Sequence, residues 1–395
     1  MNRPASLFSA LLALVLLTAC PPAPRGTITA PSTPTTPAPV VTTPAPAPPP
    51  ESSKRKRPKN IILMIGDGMG VTQISAGLYS NNNRLNLERF PVLGLHKSYS
   101  GDNLVTDSAA GATAFSAGVK TYNGAIAVGM DTLPVKTILE YAEERGMPTG
   151  LVATSSIVHA TPASFVAHNR YRKNYEDIAL DIAEAEVDLL IGGGAKFFNR
   201  RKDDRKLSDE LKKRGYVVDD YLGDEVGTRA PASDRNYAYL TADGEPLPNS
   251  QGRNYLSAAV DVATTFLDRR DEQNDGFFLM VEGSQIDWGG HANDSDYIIT
   301  EMLEFDGAVG KVLDWAARDG ETLVIVTADH ETGGYAIQNG SAMGNIEGAF
   351  TSDYHTADLI PVFAYGPGAE RFGGIYENTA IFDKMMELYG FKKAE

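Results

Sequence analysis

Metal-ligating residue types recur directly after short apolar runs of this 395-residue chain. Ile61–Ile65 leads into Gly66-Asp67-Gly68-Met69-Gly70, and Gly150–Ala153 leads into Thr154-Ser155-Ser156 and then His159-Ala160-Thr161. Phe277–Val281 is followed by Glu282, with Asp287 and His291 close behind, and Thr322–Val326 by Asp329-His330. His355 stands just before the run Leu359–Ala364. Asp287 and His291 are four apart, so on a helical turn they share a face and can grip one ion. His355 would complete three protein ligands and leave a fourth position open, as a catalytic zinc requires. Asp67, Asp329 and His330 could hold a second zinc, while Glu282 and Thr161 offer hard oxygens that suit magnesium better. Taken singly, an Asp after a strand is more often a helix cap or turn residue, and a lone His is more often core or surface. The set as a whole indicates a metal centre.

A second constellation is Thr106-Asp107-Ser108-Ala109-Ala110-Gly111-Ala112-Thr113-Ala114. The run of small residues predicts a helix with Ser108 at its N-terminus, where free backbone N–H groups and the helix dipole stabilise an alkoxide or a phosphate. The plainer alternative is that Asp107 or Ser108 is only the N-cap and the small residues serve close packing.

These residues need a frame. The apolar runs, with Val187–Ile191 added, are strand-like, and helical periods occupy Val135–Arg145, Tyr175–Ala185, Tyr255–Arg270 and Tyr297–Arg318. Strands alternating with helices predict an α/β fold with a central, mainly parallel β-sheet flanked by helices on both faces. Such sheets bind ligands beyond the carboxyl ends of their strands, where the residues above fall. Residues 199–254 and 335–354 show no clear period and read as insertions. Gly192-Gly193-Gly194 lacks a phosphate-loop pattern and reads as a strand-end turn.

The N-terminal segment has a separate meaning. Arg3 precedes an apolar run, Leu7–Leu17, too short for an ordinary membrane span, and Leu17-Thr18-Ala19-Cys20 closes it as an export signal ending in a lipobox. Cys20 is the only cysteine, so the expectation is lipidation at Cys20, with no disulfide within the chain. Residues 21–57 are rich in Pro, Ala and Thr and read as an extended tether, and 58–395 as the folded catalytic domain. The chain is thus expected to be exported and lipid-anchored at the bacterial envelope, in the periplasm or at the outer membrane or cell surface. A net charge of −15 argues against nucleic acid as a partner. An acidic enzyme can still take an anionic substrate if metals supply positive charge locally.

The same stretches resemble those of alkaline phosphatases, in order, over most of residues 58–390. Asp67 in Ile65-Gly66-Asp67-Gly68-Met69-Gly70 resembles the aspartate bridging zinc and magnesium, and Ser108 the phosphorylated nucleophile. Glu282 resembles a magnesium ligand, and Asp287, His291 and His355-Thr356-Ala357 resemble the first zinc site. Asp329-His330-Glu331-Thr332-Gly333-Gly334 resembles the second. His159-Ala160-Thr161-Pro162 and Arg170 fill the remaining positions, Arg170 as the clamp on phosphoryl oxygens. His159 stands where some members have Asp, and Trp288 where some have Lys or His; both would border the magnesium and phosphate sites. The short stretch between His330 and His355 implies a reduced crown-like insertion, which leaves monomer and homodimer both open.

The resemblance implies hydrolysis of phosphate monoesters through a phosphoserine at Ser108, with two zinc ions and one magnesium ion per chain. The rivals are a phosphodiesterase or sulfatase of the same superfamily, and a lipoprotein that binds zinc or phosphate without turnover. The Cys/Ser-x-Pro-x-Arg motif of sulfatases is absent around Ser108, and related phosphodiesterases usually carry Thr as nucleophile.

Overall fold

A computed structural model describes residues 57–228 and 231–393. The export signal, Cys20 and the tether up to residue 56 lie outside the described residues. β1 (Asn60–Gly66) is buried along its whole length. Its alternate residues serve two cores: Ile61, Leu63 and Ile65 enter one, Ile62 and Met64 the other. A strand apolar on both faces belongs in the middle of a parallel sheet.

That is where it lies. The remaining strands are β2 (Val92–Lys97), β3 (Thr149–Ser156), β4 (Leu189–Gly193), β5 (Val217–Asp220), β6 (Tyr237–Leu240), β7 (Phe278–Gly283) and β8 (Thr322–Thr327). After them come β9 (Glu331–Thr332), β10 (Ala336–Ile337), β11 (Gly348–Ala349), β12 (His355–Thr356), β13 (Leu359–Tyr365) and β14 (Gly374–Glu377). Ten of these form one sheet in the order β14-β2-β13-β8-β1-β7-β3-β4-β6-β5. Only β13 runs against its neighbours, β2 and β8. The expected α/β architecture with a mainly parallel sheet is therefore the observed one.

The helices are α1 (Val71–Ser80), α2 (Ser108–Ala117), α3 (Ile138–Glu143), α4 (Ala160–Ala163), α5 (Tyr175–Glu184) and α6 (Ala195–Asn199). They continue with α7 (Leu207–Lys213), α8 (Leu256–Arg270), α9 (Gln285–His291), α10 (Ser295–Asp319) and α11 (Thr379–Tyr389). Residues of α2, α3, α5, α7 and α11 pack on one face of the sheet, and residues of α1, α8 and α10 on the other. Asp294 caps α10 by accepting from the Tyr297 N–H at 3.0 Å, and Gly320, at φ 74°, ends it in the left-handed region.

The stretch 199–254 is more ordered than its lack of period suggested. It holds α7, β5 and β6, and the two strands extend one edge of the sheet. Residues 335–354 carry only the hairpin β10–β11. The consequence for the site is simple: β8, β1, β7 and β3 are adjacent and parallel, so everything following them emerges along one sheet edge.

Candidate functional site

At that edge α2 begins. Asp107 is its N-cap: Oδ1 accepts from the Ala110 N–H at 3.0 Å. Ser108 is the first helical residue, and its Oγ lies 3.3 Å from His330 Nε2. The cap and the candidate nucleophile are thus different residues, so capping does not use up the serine. The first N–H groups of a helix have no acceptor within it, and they face outward beside Ser108.

Three imidazoles and several carboxylates converge around this serine. Nδ1 of His291 donates to the Asp353 carbonyl at 2.7 Å, and Nδ1 of His355 to the Thr106 carbonyl at 2.8 Å. A carbonyl can only accept, so each neutral ring presents an unprotonated Nε2. Burial and the nearby His330 lower the His355 pKa to about 4, which keeps that ring neutral. The two Nε2 atoms are nevertheless 3.1 Å apart, and Asp287 Oδ1 lies 3.4 Å from one and 3.5 Å from the other. Three acceptors facing one another repel unless a cation sits among them. Tetrahedral zinc ligands at ~2.0–2.1 Å stand about 3.4 Å apart, and this triangle has that size.

A second cluster shares its partners. His330 Nε2 lies 3.5 Å from Asp67 Oδ1 and 3.2 Å from Asp329 Oδ2, while its Nδ1 is 3.2 Å from Thr332 Oγ1. Thr332 in turn donates to Asp287. Both Asp67 oxygens and Asp329 Oδ2 are buried without a hydrogen-bond partner. Burial, then the charges of Asp329, Asp287 and Glu282, push the Asp67 carboxyl well above its usual range. Burial opposes ionisation of Asp329 as well, but His330 beside it holds that carboxyl low. Buried acceptors with no donor call for a cation.

The third group is Asp67, His159 and Glu282, whose ligand atoms lie within 4.8 Å of one another. Glu282 Oε2 accepts from Ser284 at 2.6 Å and Ser155 at 3.2 Å, whereas Glu282 Oε1 and Thr161 Oγ1 have no partner. Burial pushes Glu282 up to about 7 despite the Ser284 bond. The donors here are mainly hard oxygens, as magnesium prefers. Burial and Arg172 lower His159 to about 3, and its ring meets Trp288 edge-on at 6.0 Å.

The structure thus brings together Asp67, Ser108, His159, Thr161, Glu282, Asp287, Trp288, His291, Asp329, His330 and His355. It does not bring Arg170. The chain bends there, the side chain is exposed, and the backbone carbonyl accepts from Tyr122. Two residues on, the Arg172 N–H returns to the Gly124 carbonyl at 2.8 Å, and its guanidinium donates to Asp107 Oδ2 at 2.9 Å. Arg172 Nη2 also stands 3.5 Å from His159 Nε2. Arg172 therefore occupies the place expected of Arg170. Nothing periodic distinguishes the two in sequence.

Sequence reasoning also missed Glu331. It accepts from Gln73, the backbone N–H groups of Gly334 and Tyr335, and Thr356, tying α1 and β12 to the loop after Asp329-His330. Its place directly after His330 was the available signal.

A family model described as alkaline phosphatase matches residues 58–349. Alkaline phosphatase 3 of Bacillus subtilis (strain 168) is 44% identical over 409 aligned positions, covering 82% of this chain and 87% of that protein. The alkaline phosphatase of the Antarctic bacterium TAB5 matches with a TM-score of 0.80 and 45% identity, covering 86% of this chain and 100% of that one. A histidine-to-aspartate mutant of that enzyme, with Mg bound in its M3 site, matches equally well.

Proposed function

The chain belongs to the alkaline phosphatase family and is a phosphatase, and from that premise we propose that it hydrolyses phosphate monoesters through a phosphoserine at Ser108. Asp287, His291 and His355 would hold one zinc, Asp67, Asp329 and His330 a second, and Asp67, Thr161 and Glu282 a magnesium. Bound there, the zinc ions would stabilise the Ser108 alkoxide and the departing oxygen and lower the pKa of water, while magnesium would offset the carboxylates. The mutant relative with Mg in its M3 site supports a magnesium-type third position.

The chain's own residues account for the rest. Arg172, held by Asp107, orients two equatorial phosphoryl oxygens with its guanidinium fork. The first N–H groups of α2 face the charge that builds on phosphorus in the transition state. Ser108 Oγ attacks in line, the bond to the ester oxygen breaks and the alcohol leaves; water then cleaves phosphoserine and releases inorganic phosphate. His159 and Trp288 border the third position and the phosphate. Cys20 carries the lipid that anchors the exported chain.

The observation that carries this reading is Ser108 Oγ, at a helix start, 3.3 Å from an imidazole set against Asp67 and Asp329, three of whose carboxylate oxygens are buried without a donor. The test is hydrolysis of p-nitrophenyl phosphate and its bis-ester by the zinc- and magnesium-loaded protein, beside Ser108→Ala. Monoester turnover lost on chelation and nearly lost in the variant supports it. Faster cleavage of the diester points to a phosphodiesterase, and full metal loading without turnover to a binding lipoprotein.

A further inference from the structure

One aromatic side chain at the site has no part in the proposed chemistry. The Tyr354 ring lies flat on the ring of His355, centroids 4.4 Å apart and planes 8° apart, and 5.9 Å from the ring of His291. Its backbone is pinned on both sides: the N–H donates to Ser352 Oγ and the carbonyl accepts from the Gly333 N–H, each at 2.9 Å. Asp353, next in line, fixes His291 through its carbonyl. Despite these restraints Tyr354 is 49% exposed. Its ring thus lies beside two residues of the proposed first zinc site, His355 and His291.

A rigid aromatic ring half open to water, one face already stacked, is a surface for a second flat group. Offset stacking adds to area burial, and a pre-ordered ring loses little freedom when a ligand lands on it. It stands beside His291 and His355, and in the monoesterase reading the zinc they would hold with Asp287 is the one that would take the ester's departing oxygen. Resting on that reading, we propose that Tyr354 is a substrate-contacting residue, whose free face stacks on the leaving group. The stack biases the site toward monoesters of aromatic alcohols over those of aliphatic ones. Packing on His355 alone would explain the stacked face but not the exposure of the rest of the ring.

The test compares the metal-loaded wild-type chain with Tyr354→Leu and Tyr354→Phe. Phenyl phosphate and glycerol phosphate give kcat/KM, and phenylphosphonate and methylphosphonate, which cannot be hydrolysed, give Ki. Stacking predicts that the phenyl-over-glycerol ratio and the phenyl-over-methyl ratio both fall about three- to tenfold in the leucine variant and recover in the phenylalanine variant. Zinc content is measured for each. Equal loss on both esters with unchanged phosphonate ratios would mean the ring acts only by holding His355, and would overturn the proposal. So would no loss on either. If the wild-type chain hydrolyses neither ester, the monoesterase reading falls, and the phosphonate ratio decides the stacking by itself: a drop in the leucine variant upholds it and an unchanged ratio sinks it.

Discussion

Asp107 has two duties that pull on its two oxygens. Oδ1 caps α2 and Oδ2 receives Arg172, so the carboxylate fixes the serine's helix and the arginine's reach at once. Arg172→Ala should therefore cost more than a lost phosphate contact, because it also leaves Asp107 short of a donor. Removing one charge-assisted partner costs ~1.5–3 kcal/mol, so kcat/KM for p-nitrophenyl phosphate should fall by roughly 10- to 100-fold. Arg170→Ala, changing an exposed side chain, should stay within about threefold. A larger loss for Arg170→Ala than for Arg172→Ala would return the clamp to Arg170. The sequence could not make that distinction: both arginines lie in one loop, and a bend and a bond to Gly124 select between them.

At the scale of elements, α2 meets the strand-edge residues without clearance. A Cβ on Gly111 would lie 2.9 Å from the Cβ of Asp329. Alanine is the better helix former by ~1 kcal/mol, yet Gly111→Ala must displace Asp329 or the helix. Displacements of that kind cost up to about 100-fold, so kcat should drop by about 10- to 100-fold despite the gain in propensity. An unchanged kcat would show that the contact yields freely. Gly68 is under the same constraint: it has φ +74° and a Cβ there would lie 2.7 Å from Asp287 Cα. Small residues in these motifs were visible in the sequence, but their partners, more than 200 positions away, were not.

A different helix gives a pH prediction. Glu143 is the last residue of α3, where a carboxylate opposes the helix dipole. Burial, against a bond from Thr149, with Asp188, Glu140 and Glu186 nearby, pushes it up to about 7. An acid whose folded pKa is raised adds stability that is complete below its unfolded pKa, near 4.3, and lost as pH rises through 7. Glu143→Gln should unfold at the same urea concentration as wild type at low pH and at a higher one at pH 8.5. The gain should be on the order of 1–3 kcal/mol, reduced by the group's solvent access. Equal midpoints at pH 8.5 would refute it.

For the whole molecule, the strand order explains why one site forms at all. β8, β1, β7 and β3 are neighbours although β1 and β8 are far apart in sequence, so Asp67, His159, Glu282 and Asp329 emerge together. Among the described residues no helix is long and apolar enough to cross a membrane. The proposed anchor is the lipid on Cys20. Expressed with its leader in a bacterium, the chain should fractionate with membranes, and Cys20→Ser should move it to the soluble exported fraction with kcat unchanged. A wild-type chain found soluble would refute the anchor.

Short-range physics accounts for everything the sequence determined by itself. Apolar runs on both faces, helical periods and the i, i+4 pair Asp287–His291 are local properties, and they marked the central strands, the main helices and most of the converging residues. Tertiary structure decided the rest. At the two ends of the sheet β5, β6 and β14 have only four residues each, and β2, β5 and β14 are only part-buried, so pairing with a neighbour rather than a run of their own makes them strands. The choice of Arg172, the tie of Glu331 to α1, and the stack of Tyr354 on His355 depend on contacts between distant segments. No local pattern records which residues such contacts join, because loop direction is set by the partner it meets.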